Sequence, residues 1–399
     1  MTSTDVIFVG GGIVGLSAAF RFSDRHPGKK IILLEKEKEI CLHQTGRNSG
    51  VMHSGIYYKP GSLKARTCRT GKAQLEAFCK GHGIKFELCG KVIVAVDSSQ
   101  EDRLKNIYQR GVDNGISCEI IDKERLRELE PYSAGVKAIH VPETGIVDYV
   151  GMCQSLASIL KQRGHEIICE AKVVGVTERE NEVVVESTKG AFTSSFMVNC
   201  AGLHSDRVVK SSGQTPAAKI VPFRGEYFEL KPEAHKLCKN LIYPVPDPSF
   251  PFLGVHFTRM VLGGVECGPN AVLAMAREGY RKTDINFGDL LETLGYSGFR
   301  HLAAKHFKMG LQEMLRSASK SMFVRSLQQL IPEIQSKDIV PVPSGIRAQA
   351  VAPDGSLVDD FSFNETDRLV HVVNAPSPAA TASLAIGDHI VDHLEAHMS

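Results

Sequence analysis

Ten cysteines are scattered along the chain, yet no two form a Cys-x-x-Cys pair. Zinc and iron–sulfur sites find no support, and reduced, mostly buried thiols are expected of a long intracellular chain. The 15 histidines are read as dispersed and without a His-x3-His pair of the metalloprotease sort, so the chain is expected to be metal-free. The formal net charge is only +2, which removes the electrostatic case for nucleic acid as a partner. No run reaches 18 apolar residues, so no segment reads as membrane-spanning. Internal repeats and low-complexity linkers are absent as well. The first core strand begins at Asp5, leaving no room for a targeting segment. The expected compartment is the cytoplasm, and a processed organellar form would read the same way.

Against these absences, the N-terminal stretch is dense with signal. Asp5–Val9 is an apolar strand that runs into Gly10-Gly11-Gly12-Ile13-Val14-Gly15, and a second apolar run, Ile31–Leu34, is closed by Glu35. Gly10 permits the turn, Gly12 lets backbone approach a pyrophosphate, and Gly15 lets the following helix lie close on its strand. The pyrophosphate meets the free N–H groups and positive end of that helix. Glu35, about 20 residues after Gly15, suits a ribose with free hydroxyls. An adenine dinucleotide without a 2′-phosphate is expected.

At 399 residues the chain exceeds the size at which one core usually stops growing. Nucleotide-domain signals recur in three stretches, 1–85, 145–218 and 338–399, separated by insertions at 86–144 and 219–337 that read as a second domain. In the second stretch a helix (Val150–Arg163) precedes strands at Glu166–Cys169, Lys172–Val176, Glu182–Glu186 and Phe196–Gly202. In the third, Leu369–Val373 enters a loop and a terminal helix. Strands of the insertions are expected at Lys91–Val96, Arg224–Leu230 and Phe252–Phe257.

Phe299, Leu302, Ala303, Phe307, Leu311, Met314 and Leu315 recur at helical spacing, and the stretch to Ile331 carries six basic residues against the single acid Glu313. The plain expectation is a core-packed helix with a solvated basic face. The alternative is a basic amphipathic helix lying on an anionic bilayer.

Several longer motifs then resemble a known family. The order of the glycine fingerprint and Glu35, a polar loop with His53-Ser54-Gly55, Asn199-Cys200-Ala201-Gly202, and an arginine strand before Pro353-Asp354-Gly355 is similar to the D-amino-acid-oxidase-type flavoproteins. These include glycine and sarcosine oxidases and FAD-linked glycerol-3-phosphate dehydrogenases. More narrowly, His43–Tyr58, Pro222–Tyr227, Pro251–His256, Gly345–Ala350 and Asn374–Thr381 resemble L-2-hydroxyglutarate dehydrogenases, and the resemblance spans essentially the whole chain. Arg47 departs from the pattern, standing where a histidine is more usual. The resemblance implies an α/β fold: a Rossmann-like FAD-binding domain assembled from the three segments, plus an α+β substrate domain with a mainly antiparallel sheet. It implies FAD, expected to be noncovalent. Thr45, Asn48, Ser49 and Gly50 would offer donors to the cofactor, Val173 would pair with the adenine edge, and Ala201 and Gly202 would let a strand end approach it. Ala380 and Thr381 would bring the last helix's positive end to the flavin, where it stabilises the negative charge of the reduced ring.

The implied reaction is oxidation of L-2-hydroxyglutarate to 2-oxoglutarate by hydride transfer from Cα to flavin N5, with electrons passed to a quinone or other acceptor. It needs a base, an oriented Cα hydrogen and cations for the carboxylates. His53 is the first candidate base and His256 its rival. Arg347 would hold the α-carboxylate through its planar fork, and Tyr57, Tyr58 and Arg224 would serve the distal one. An oxygen-using oxidase of another small amino or hydroxy acid stays open, as does a dinucleotide-binding sensor without chemistry. The basic stretch adds a peripheral contact with the inner face of the cytoplasmic membrane.

Overall fold

A computed structural model describes residues 2–247 and 254–398. The first strand, Thr2–Val9, is buried on both faces from Val6 to Val9 and is central to an eight-stranded sheet. It pairs in parallel with Ile31–Leu34 on one side and Gly190–Asn199 on the other. Glu166–Ile168 and Leu369–Asn374 extend the parallel set outward. Alternate side chains go to opposite faces of a strand. Val6 and Phe8 join the core under the helices Ile13–Arg25, Tyr149–Gln162 and Ser383–Met398. Ile7 and Val9 join a second core, covered by the hairpin Val173–Glu178 and Val183–Ser187. Three separated stretches of chain thus make one nucleotide-binding layer.

The second domain is a nine-stranded sheet with one parallel pair, Lys91–Ala95 against Leu241–Pro244, in an otherwise antiparallel arrangement. Its longest ladder joins Lys219–Leu230 to Ile339–Val351. That ladder corrects one expected boundary. The third stretch was expected to rejoin the nucleotide domain at 338, but Ile339–Val351 belongs to the second sheet, and the chain returns to the first only with Ser362–Glu365. An apolar strand does not reveal from its own residues which sheet will pair it. The strand expected at Phe252–Phe257 is seen as His256–Arg259, its earlier residues 252–253 lying outside the described residues. The helix expected from Phe299 to Leu315 is two helices, Ser297–Lys305 and Phe307–Ala318, divided at His306. Leu302 is buried, but Phe307 (69% exposed), Leu311, Met314 and Leu315 face outward, so the core-packed expectation fails for the second helix. Periodicity reports that a face is apolar, not what covers it. The histidines are less dispersed than expected: His389, His393 and His397 recur on the terminal helix, and the last two bind Glu365.

The two domains are tied by a buried ion pair. Asp206 lies on the helix Ser205–Ser211 after the Asn199–Gly202 segment, and Arg277 comes from the second insertion. Their forks meet at 2.8 and 2.9 Å, and both side chains are at most 3% exposed. Arg277 also donates to the Leu203 carbonyl, while Asp206 accepts from Ile220 N at the start of the long ladder. Removing one partner of such a pair leaves the other charge buried alone. Asp206→Asn should therefore lower unfolding free energy by about 3–5 kcal/mol, measured by denaturant titration.

Candidate active site

The cofactor end is built at the turn after the first strand. Gly10 adopts φ +110°, and a Cβ there would lie 2.5 Å from the Cys200 carbonyl oxygen. A Cβ on Gly15 would lie 2.1 Å from the Gly10 carbonyl oxygen. Gly12 is different: its φ is −81°, and an added Cβ would meet only the Thr45 hydroxyl, at 3.4 Å. It caps the helix Ile13–Arg25 beside a cavity of about 400 Å³ lined by Gly10, Gly12, Glu35, Thr45, Val173, Ala201 and Gly202 among others. Seven expected cofactor residues from five chain segments therefore share one cavity. Glu35 is held by Gly11 N–H at 2.7 Å and Glu37 N–H at 2.9 Å. Thr45 Oγ1 accepts from Ile13 N, its own proton remaining free to donate. A helix N-terminus, an open glycine and a rigid carboxylate fit the pyrophosphate and ribose of FAD.

The loop after this cavity uses its polar groups differently from expectation. Asn48 Nδ2 donates to the carbonyls of Gln44 and Thr45, and its Oδ1 accepts from Gly50 N. Its side chain folds the loop instead of reaching for a ligand. Ser49 is half-buried beside it, and Gly50 takes φ +64° to bring the chain onto Val147. Thr381 is fully buried: its hydroxyl meets Tyr149 Oη at 2.9 Å and accepts from His53 N at 3.1 Å. It fixes the His53 backbone to the turn before the last helix, with Ala380 half-buried next to it. Among the described residues, Glu37, His43 and Glu278 come near enough for a shared cation, but Lys36 pairs with both carboxylates and supplies that charge itself.

Register across the second sheet aligns the other half of the site. Tyr243 is beside Ile93, which shares a face with Lys91, and the Ile242–Phe257 pair puts Tyr243 opposite His256. His256 pairs with Gly268, and the Phe228–Cys267 pair brings Gly268 next to Tyr227. The same face continues through Phe223 to Arg347 on the neighbouring strand. Lys91, Tyr243, His256, Tyr227 and Arg347 thus form one row. Tyr243 and His256 pack with ring centroids 4.0 Å apart. Tyr57 approaches from the polar loop, its hydroxyl buried without a hydrogen-bond partner among the described residues. Tyr58 reaches back to Ser377 before the terminal helix.

Arg224 requires correction. It alternates with Phe223 and so points to the opposite face from Arg347. There it donates to Glu226 at 3.2 Å and to the Arg281 carbonyl at 3.3 Å. Its charge is spent on structure. Lys91 was the residue that sequence reasoning missed: it opens an ordinary apolar strand, and nothing local distinguishes it from a surface lysine.

Burial and like charge set the protonation of this face. Burial, reinforced by Lys91, His256 and Lys64, pushes the His53 imidazole down to about 3. Burial holds His256 at about 4 against the opposing effect of the Gly254 carbonyl, with Lys91 and Arg347 lowering it further. Its Nδ1 lies 2.9 Å from that carbonyl, which requires the proton there and leaves Nε2 as an acceptor. Burial also lowers Lys91, to about 7, and Arg347 from its usual value. The Arg347 side chain is nevertheless solvent-accessible. Both histidines are neutral at physiological pH and competent to take a proton.

The contrast among the glycines yields a test of the cofactor cavity. Gly12→Val should fold with unchanged far-UV circular dichroism yet purify without flavin, because its side chain would occupy ligand space and not protein space. Visible absorbance per mole of protein reads the outcome.

Comparison with known proteins agrees with this geometry. Residues 5–393 match the DAO family, described as FAD dependent oxidoreductases. The chain is 49% identical to an L-2-hydroxyglutarate dehydrogenase of Indibacter alkaliphilus, over 97% of this chain and 98% of that one. It is 47% identical to the Escherichia coli K12 enzyme of that name, over 98% and 93%, and 45% to the human mitochondrial one, over 99% and 89%. Among solved structures, the FAD-bound L-alpha-glycerophosphate oxidase of Mycoplasma pneumoniae superposes with a TM-score of 0.81 at 21% identity, covering 99% of this chain and 95% of that one. Glycine oxidase from Geobacillus kaustophilus gives 0.74 at 17%, covering 99% and 95%, so the fold is shared well beyond sequence similarity. The chain belongs to the DAO family of FAD dependent oxidoreductases, in the branch that holds the L-2-hydroxyglutarate dehydrogenases.

Proposed function

We propose that this protein oxidises L-2-hydroxyglutarate to 2-oxoglutarate with FAD and passes the electrons to a quinone. The observation that carries the substrate reading is the charge of the inner face: Lys91 and Arg347 are its cations, His53 and His256 beside them are neutral, and no carboxylate is among the groups acting on the lysine or the two histidines. A buried face of this kind favours a dianion, which supplies the missing negative charge. The Gly12 turn, Glu35 and Thr45 would hold FAD, which would supply the acceptor for the hydride on the substrate Cα. Arg347 grips the α-carboxylate with its planar fork. His53 takes the hydroxyl proton, since its ring is neutral and its backbone is anchored to Thr381 at the cofactor turn. His256 offers a second acceptor, its Nε2 without a hydrogen-bond partner among the described residues. The Tyr57 hydroxyl donates to a substrate oxygen, which ends its lack of a partner.

The quinone reading rests on a surface. The helix Phe287–Gly295 exposes Phe287 (74%) and Leu291 (69%), and Phe307–Ala318 carries the outward apolar face; both helices contact Ser297–Lys305. Lys282, Arg300, Lys305, Lys308 and Arg316 belong to the same segment. Exposed apolar side chains with basic neighbours suit the headgroup zone of an anionic bilayer. No helix among the described residues is long and apolar enough to cross a membrane, so any contact is peripheral.

Anaerobic mixing with L-2-hydroxyglutarate should bleach the flavin, and the reduced protein should then react quickly with a quinone analogue and slowly with oxygen. Fast peroxide formation without quinone activity would make it an oxidase. His53→Ala should slow flavin reduction by about 10²–10⁴-fold while FAD stays bound; reduction at wild-type speed would transfer the proton to His256. Because both histidines are lowered, they remain unprotonated as pH falls through 6.5. The acid limb of kcat/KM, which reports the free enzyme, should therefore lie near pH 3–4. Replacing Phe307 and Leu311 with Glu should abolish cosedimentation with phosphatidylglycerol vesicles and leave flavin reduction unchanged.

A further inference from the structure

Lys91 is among the largest fully buried side chains of the protein, with 2% of its surface exposed. Its ammonium lies 4.7 Å from the Tyr57 ring centroid and 4.9 Å from that of Tyr243. Two aromatic faces around a cation relieve part of its desolvation, but they provide no counter-charge. Among the described residues Lys91 takes part in no ion pair and no side-chain hydrogen bond, unlike the other deeply buried cation, Arg277, which holds Asp206. Among the described residues the ionisable groups beside it are the Cys68 thiol and the Tyr57 and Tyr243 phenols; burial pushes the thiol up to about 12 and raises both phenols, so all stay neutral. A lysine that runs along apolar surface to reach water is excluded by the burial itself. An ammonium held in this way is costly to the folded protein unless something arrives to pair with it. The row across the sheet shows where that something would lie. His256 stands between Lys91 and Arg347 and feels both charges, so a ligand lying over His256 meets a cation at each end.

We infer that Lys91 selects a dicarboxylate, its ammonium binding the carboxylate farthest from the reacting carbon while Arg347 holds the other. This rests on the proposed oxidation of L-2-hydroxyglutarate and adds to it the residue that sets chain length and charge. It replaces Arg224, which faces away. Tyr57, whose ring lies against the ammonium and whose hydroxyl is buried, completes the pocket as a donor to the same carboxylate. The low value of the Lys91 ammonium, about 7, is consistent with a site short of one anion.

The test uses FAD-loaded protein and compares L-2-hydroxyglutarate with L-2-hydroxypentanoate, which carries a methyl group in place of the distal carboxylate. Glutarate, which cannot be oxidised at a hydroxyl, serves as an inert probe read through perturbation of the flavin spectrum. Lys91→Met should weaken glutarate binding and raise KM for L-2-hydroxyglutarate, each by at least about 30-fold, as expected when one partner of a buried charge pair is removed. Its kcat should hold for both substrates, KM for L-2-hydroxypentanoate should be unchanged or lower, flavin content should match the wild type, and melting temperature should equal or exceed it. Lys91→Gln reads the same contrast if the methionine variant is recovered without flavin. A dicarboxylate preference kept within about threefold, the scale of an exposed ion pair, would overturn the inference. So would an equal loss of kcat on both substrates, which marks a merely structural residue. If wild-type flavin is not reduced by L-2-hydroxyglutarate while glutarate binding still depends on Lys91, the proposed reaction falls and the dicarboxylate site stands. If the wild type turns over and the variant binds glutarate equally well, the inference alone falls.

Discussion

The cofactor half of this molecule depends on how closely one turn can pack. Gly10 presses against the Cys200 carbonyl, and Gly15 presses against Gly10, at separations no side chain would permit. That contact brings the first helix down onto its strand and fixes where its free N–H groups point. Glu35, gripped by Gly11 and Glu37, is positioned by the same turn. Gly12, between the two packing glycines, is the one with room beside it. A single motif therefore combines two unlike requirements, dense packing at its ends and open space at its centre.

The substrate half is governed by charge. Folding buries Lys91, neutralises His53 and His256, and lowers Arg347, with no acid acting on the lysine or either histidine. Such a face costs stability in the free protein, and the cost is offset when an anion enters. Burial, reinforced by the same cations, keeps the histidines unprotonated. Anion affinity and neutral imidazoles on this face thus have a common origin in its burial.

Chemistry between the two halves requires that they hold still. The Asp206–Arg277 pair does this beside the cofactor cavity, which the neighbouring Arg207 and Val208 line, and it also orders the start of the longest ladder. Thr381 acts within the nucleotide layer, joining the turn before the terminal helix to the backbone of His53. In both places a polar side chain of the nucleotide layer is buried and hydrogen-bonded.

Much of the cofactor site was legible along the chain, because its signals are local. A glycine spacing, a strand before it and an acid after it are properties of consecutive residues, and Glu35, Thr45, Val173, Ala201 and Gly202 do line one cavity with Gly10 and Gly12. The substrate face was legible only in part. Its residues sit on strands far apart in sequence, and the face each one joins depends on register between those strands. Phe223 and Arg224 are adjacent, yet one faces the Arg347 row and the other faces Glu226. Lys91 reads as solvent-exposed until the Leu241–Pro244 strand is placed beside it. The apolar stripe from Phe307 to Leu315 was visible as a stripe, and its exposure was not. The sequence by itself determined the periods, the turns and the kinds of side chain available. Tertiary structure decided which of them were covered, paired or left charged, because burial and electrostatic environment come from neighbours that the chain brings together only on folding.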